Sequence, residues 1–372
     1  MKYRMMFIIV LLTLASIWLV GCGRRRGATE TPPPTATKPA LPTSTGEPVE
    51  FVTGVPNTPT AKPTPKPPTP VPTATSAPAP TDSPVPPEAK PEPAVLKGLI
   101  VFPVFDVETG TYNIYSAKPD GSDRELVATE ASQPTLNSDG ERIAFRSWAQ
   151  NRGLFERGIE GGKEWQFNPF GEAARPVFSP DDQSFLFQSR EGGEEFAIYR
   201  TIGEGYEVLR REAFPVQGES PAWTSDGESL VYKACLGGLC GLYKINIDGS
   251  SPQQLTEELS DINPTVSPDG ETIAFMSRAD RSWDIYTVGL DGSGREQLTT
   301  DRAADGLPTW SPDGETIAFV SNRSGEWAMW AMNSDGSDQR LLFELGGSID
   351  GVVQVDAQNS NGWIEESIDW AP

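Results

Sequence analysis

The chain has no histidine among its 372 residues, and only three cysteines. Without an imidazole, Ser-His-Asp and Cys-His catalysis and His-bearing zinc sites are excluded. Basic residues are scarce too, 30 Lys+Arg against 52 Asp+Glu. The imbalance is concentrated in residues 96–372, which hold 21 basic and 46 acidic side chains, a net of −25. Such a surface repels nucleic acid and anionic lipid, so no nucleic-acid partner is expected. The charge favours solubility and does not choose a partner. No G-x-S-x-G nucleophile elbow occurs anywhere in the chain.

Long apolar runs are missing with one exception, Met5 to Leu19, which follows the basic residues Lys2 and Arg4. This run is short for a membrane span and ends in small residues, so it reads as a secretory signal. Its ending, Leu19-Val20-Gly21-Cys22, resembles the lipobox of bacterial lipoproteins. The resemblance implies a signal peptide over 1–21 and a lipidated, palmitate-bearing Cys22 as lipid attachment site. Two acyl chains anchor stably where one is marginal. Arg24, Arg25 and Arg26 would lie at the headgroups, each adding roughly 1 kcal/mol near an anionic surface. The chain is therefore expected to be exported and lipid-anchored to the outer face of the cell membrane, extracellular or periplasmic. Gly23 does not resemble the Asp that retains such lipoproteins at an inner membrane.

Residues 27–95 hold 21 Pro and 14 Thr. That composition cannot bury a core, so 22–95 is expected to be a lipidated cysteine on a disordered Pro/Thr-rich tether. Its place between lipid and domain suits a spacer that holds 96–372 clear of the membrane.

The remainder repeats itself. "PTWSPDGETIAFVS" (308–321) returns as "PTVSPDGETIAFMS" (264–277) and "PAWTSDGESLVYKA" (221–234), and more weakly at 176–189 and 134–147. A second motif follows, as in "DIYTVGLDGSGREQLT" (284–299) and "GLYKINIDGSSPQQLT" (241–256). A period in the low forties holding four short strands is the spacing of a propeller blade. Ser311-Pro312-Asp313-Gly314 fits a type I turn, which makes the recurrent Asp a turn-former and not a ligand. Thr316 to Val320 is apolar at consecutive positions, as in a strand covered on both faces. Upstream, 99–129 has three strands of a blade and lacks the first. "SIDWAP" (367–372) supplies a first strand and stops. The fold expected is all-β, a six-bladed β-propeller over 96–372 closed by pairing of the N- and C-terminal strands.

The P-x-W-S-P-D-G-x-x-I-A-F and D-I-Y-x-x-x-x-D-G-S patterns resemble TolB-like, WD-repeat-like propellers, over nearly all of 99–372. The resemblance implies a protein-binding propeller of the cell envelope. TolB's own N-terminal α/β domain has no counterpart here, where the tether stands in its place. Propellers beside peptidase domains and oligogalacturonate lyase-like propellers share the repeat. The lyase family's metal site uses His, which this chain lacks.

In such a ring the regular "SPDG" and "DGS" turns share one face. The second-to-third-strand loops and the blade connections share the other, where "SWAQNRG" (147–153), "SREGGEEF" (189–196), "SRADRSWD" (277–284) and "SNRSGEWA" (321–328) differ from one another. Variable loops on a rigid scaffold are where recognition is usually built. The partner-binding candidates there are Trp148, Trp283, Trp327 and Arg323, against the alternative that the tryptophans cap blade ends. A connection longer than its counterparts, centred on 345–366, adds Asp350, Asp356 and Trp363 as partner-contact or channel-capping residues. Cys235 and Cys240, flanking a short Gly-containing turn outside the membrane, suggest a local disulfide, the alternative being a free or reactive pair.

The reading is a membrane-anchored, non-enzymatic binding scaffold, expected to be monomeric, for a cell-envelope protein or polymer. Two alternatives stand beside it. One is a glycan-acting enzyme using channel carboxylates. The other is a sensor or structural ectodomain whose channel holds Ca²⁺ through Asp and carbonyl oxygens, the one cofactor considered.

Overall fold

The computed structural model describes residues 95–372, apart from 192, 194, 204, 213, 280, 281 and 355–359. The signal, Cys22, nearly all of the tether, and Asp356 lie outside the described residues. Among the described residues, no helix is long and apolar enough to cross a membrane.

Six four-stranded antiparallel sheets form the propeller. Counted from the inside outward, the first blade is Asp369–Ala371, Leu99–Asp106, Thr111–Ala117 and Glu125–Ala128. The second runs Ala131–Leu136, Arg142–Ser147, Gly153–Gly158 and Gly161–Asn168, and the third Ala174–Phe178, Phe185–Ser189, Ala197–Ile202 and Gly205–Val208. The fourth, fifth and sixth begin at Glu219–Trp223, Ile262–Val266 and Asp305–Trp310, and the sixth ends with Arg340–Glu344. The expected closure is present: Leu99, Ile100 and Val101 pair with Ala371, Trp370 and Asp369. The second and third blades lack the second sequence motif yet are complete. A short glycine-bearing turn at 158–161 does the work of the "DGS" turn in the second blade, and Ile202 pairs with Gly205 in the third.

The core lies between neighbouring blades, which is why the second strand of each blade is apolar on both faces. Ala144, Ala274 and Ala318 are fully buried, as are Phe275 and Phe319 beside them. The repeated turn is scaffold, as its recurrence implied. Gly314 donates its N–H to the Ser311 carbonyl at 2.9 Å, and the Asp313 carboxylate accepts the Glu315 N–H at 3.1 Å and the Ser311 hydroxyl at 2.5 Å. The same bonds recur at Asp181, Asp226 and Asp269. Side-chain hydrogen bonds hold these three carboxyls below their usual range.

Each of the five complete inner strands is interrupted by a bulge at one repeat position, directly before the repeat's first proline. There Gln133, Arg175, Ser220, Asn263 and Leu307 all take a left-handed backbone, with φ between 53° and 56°. The prolines that follow, Pro134, Pro176, Pro221, Pro264 and Pro308, line a narrow central channel of about 110 Å³ together with Ile368. Bulges re-aim side chains and cluster near functional sites. Four of them carry polar side chains, Gln133, Arg175, Ser220 and Asn263, whereas Leu307 is buried in the core.

Candidate functional site

The connection at 345–366 settles on the face of variable loops and closes part of the channel mouth. Its start is fixed by burial of Leu345 and Ile349 and by the Tyr112 hydroxyl, which donates to the carbonyls of Ile349 at 3.1 Å and Gly351 at 2.9 Å. Val352–Gln354 pairs with Ser360–Gly362, and a single 3-10 turn, Trp363–Glu365, follows. That turn is held from three blades. Gln133 Nε2 donates to the Glu365 carbonyl at 2.9 Å, while Arg175 Nη2 and Asn263 Nδ2 donate to the Ile364 carbonyl at 3.1 and 2.8 Å. Three of the five bulge residues therefore receive the cap. Just below, the fully buried Glu366 carboxylate accepts the Gln133 backbone N–H at 2.9 Å.

Beside this cap lies a cavity of about 210 Å³ between the second, third and fourth blades. Arg146, Arg175, Arg190 and Lys233 converge on it, with Glu172, Glu219 and Glu365. Four cations around one space are notable in a domain with a net charge of −25. Arg146 is 3% exposed, stacks 4.0 Å over Trp148, and donates Nη2 to the Gly171 carbonyl at 2.9 Å. Its Nε has no hydrogen-bond partner. Burial draws its guanidinium down to about 10, against the opposing pull of Glu366 and Glu365. Arg175 is lowered by burial in the same way. Arg190 stacks 4.5 Å over Phe196, and its Nε is likewise unpartnered. Lys233 is paired, at 3.1 Å, with Glu219. Arg190, Phe196, Glu219 and Lys233 also line an adjoining cleft of about 490 Å³ that runs outward to Cys235 and Leu259. Cavity and cleft thus share one wall.

Of the residues singled out from sequence, few meet here. Trp148 is 4% exposed and donates its indole N–H to the Ser132 hydroxyl at 2.9 Å; Trp327 is 9% exposed and packs on Trp363 with ring centroids 5.1 Å apart. Both have the geometry of blade-end packing, and Trp148 also floors the arginine site. Trp283 is half-buried against the core. Arg323 is consumed by Asp305 at 2.6 Å and Asp301 at 3.0 Å and stacks on Trp330. Trp363 packs over Gly306, where even a Cβ would meet its ring at 2.7 Å, and against Trp327. Asp350 is exposed on the connection. Cys235 and Cys240 face one another across a hairpin and are joined by a disulfide.

Sequence reasoning missed Arg146, Arg175, Arg190 and Lys233. One signal was available: the residue before each repeat proline varies between Gln, Arg, Ser, Asn and Leu while the proline stays. A variable residue beside an invariant turn position marks a side chain facing something other than the core. Among the described residues, no three Asp, Glu or Cys side chains come together as a metal cluster.

The solved structure of TolB from Acinetobacter baumannii superimposes with a TM-score of 0.61 at 20% identity, over 75% of this chain and 68% of that one. Hydrazine synthase of Kuenenia stuttgartiensis superimposes at 0.55 with 12% identity, over 74% of this chain and 46% of that one. At these identities the likeness is one of fold. Among curated proteins, an uncharacterized peptidase of Bacillus subtilis (strain 168), YuxL, is 26% identical over 115 residues, 28% of this chain and 17% of that protein. The chain therefore matches only about a sixth of that relative's length. The sequence profile of the TolB beta propeller domain matches residues 99–283 and 257–359. With most of the ring covered and the six blades closed as described, the chain belongs to the TolB beta propeller domain family.

Proposed function

We propose that this protein is an exported lipoprotein, held to the outer face of the cell membrane through Cys22, whose propeller is a non-catalytic binding scaffold for a cell-envelope protein. The observation that carries the reading is the asymmetry of the two faces. On the regular face the turn carboxylates are engaged by their own turns. On the other face lie the unequal loops, the capping connection and an open cleft. Recognition belongs on the second face.

Two measurements test this. Labelled palmitate should enter the wild-type chain and not Cys22→Ser, which should also leave the membrane fraction. A photoreactive amino acid at Val352, 60% exposed on the variable face, should cross-link a discrete envelope protein that one at Glu315 on the turn face does not. Equal cross-linking from both positions would remove the support.

The reading as a glycan-cleaving enzyme draws on one observation, that Glu172, Glu219 and Glu365 share the cavity wall and burial raises Glu365. Turnover of wall glycans, lost in Glu365→Gln, would favour it. Calcium binding in the channel predicts a rise in melting temperature with added Ca²⁺ that EGTA reverses.

A further inference from the structure

We propose that the cavity beside the cap binds the C-terminal carboxylate of an extended peptide, with the rest of that peptide lying along the cleft between the third and fourth blades. The inference rests on the binding-scaffold reading and names the chemistry its partner would present.

The cationic groups are placed for an anion and are not used up by the protein. Among the described residues Arg146, Arg175 and Arg190 have no carboxylate within ion-pair distance, and Arg146 and Arg175 are held by carbonyl oxygens of Gly171 and Ile364. A guanidinium bonded to carbonyls keeps its charge and its remaining N–H donors. The Nε of the buried Arg146 has no hydrogen-bond partner and is a desolvated donor. Carboxylates match the planar fork of guanidinium donors. The local carboxylates are engaged elsewhere: Glu219 with Lys233, Glu172 with the Ser189 hydroxyl and Glu191 N–H, and Glu365 with the Gly362 N–H.

The surroundings decide which anion. Glu172, Glu219 and Glu195 along the walls repel a polyanion, whether a phosphate polymer or a uronate chain. They tolerate a single negative charge seated among the arginines. Beyond that seat the cleft is walled by Phe196, Ala234 and the 63% exposed Leu259, which suit uncharged side chains. One charge at the end of a largely apolar strand is a peptide C-terminus. Capture of terminal carboxylates is a recurring mode of peptide recognition.

The test is calorimetric titration of the full-length chain in detergent with N-acetyl-Leu-Ala-Phe as free acid and as C-terminal amide. The free acid should bind, and the amide at least tenfold more weakly. Arg190→Met should weaken the acid at least tenfold while the protein stays folded with a cooperative melt, because Arg190 is half-buried and has no ion-pair partner among the described residues. Arg190→Lys, which keeps charge and loses the fork, should fall between. Glu315→Gln on the opposite face should match wild type. Equal binding of acid and amide, no binding at millimolar peptide, or competition by inorganic phosphate as strong as by the acid would each overturn the assignment. If the peptides fail while Val352 still cross-links a partner, the scaffold reading survives and only this inference falls.

Discussion

Trp310 shows what the repeat's most conspicuous residue does. Its indole N–H donates across the blade boundary to the Thr265 carbonyl at 3.3 Å, and Trp223 does the same to Val177. Each indole ties its blade to the one before. Trp310→Phe keeps an aromatic side chain and removes that bond, so it should cost about 1–2 kcal/mol in urea unfolding; an unchanged midpoint would show the bond contributes nothing. Glu366 makes a different prediction. Burial pushes its carboxyl up to about 7 from an ordinary 4.5, with Arg175 and Arg146 opposing and Glu365 reinforcing. The folded chain therefore holds a proton between about pH 4.5 and 7 that the unfolded chain releases, so stability falls as pH rises through that window. Asp284, pushed to about 6 chiefly by burial, acts in the same direction. The melting temperature should drop between pH 5 and 7.5, and Glu366→Gln should lessen the drop; identical profiles would place the titration elsewhere. Asp181, Asp226 and Asp269 have lowered carboxyls and act only at more acidic pH.

At the scale of elements, local chemistry was legible and long-range partners were not. The type I turn over 311–314 and the strand that follows were readable because Ser, Pro and Gly each fix a backbone angle. The 345–366 connection was readable as an excess of length. That Tyr112 and Gln133, more than two hundred residues earlier, would receive it was not, because a hydrogen-bond partner at that separation leaves no periodic mark. The connection's own Leu345, Ile349 and Val353 are buried, so deleting it would uncover core. The hairpin at 235–240 is a simpler case. Gly237 and Gly238 both take positive φ, which builds the two-residue turn that brings Cys235 and Cys240 into register. Closing so short a loop contributes about 2 kcal/mol at most by chain entropy. Reductant should lower the unfolding midpoint by no more than that, and Cys235→Ser with Cys240→Ser should reproduce the shift. A larger loss would mean that the bond holds up the cleft wall at Cys235 as well.

At the scale of the molecule, six blades and the strand exchange that closes them followed from counting repeats and noticing that one blade lacked a first strand. The candidate site was half legible. The variable face could be named from loop divergence, and Trp148 and Trp363 border the region that matters. The arginine cluster could not be found this way, because its members carry no shared motif: Arg146 lies near the end of a strand of the second blade, Arg175 on a bulge of the third, and Arg190 just past that blade's second strand. Packing of these two neighbouring blades brings them together. The claim on which everything else depends is that the two faces differ in function, and carboxyl footprinting in intact cell envelopes against the purified full-length chain tests it most directly. Protection is expected in envelopes at Glu195, Glu219 and Asp350, with Asp181, Asp226, Asp269 and Asp313 on the turn face equally reactive in both. Protection of the turn aspartates, with the other three unchanged, would contradict that claim.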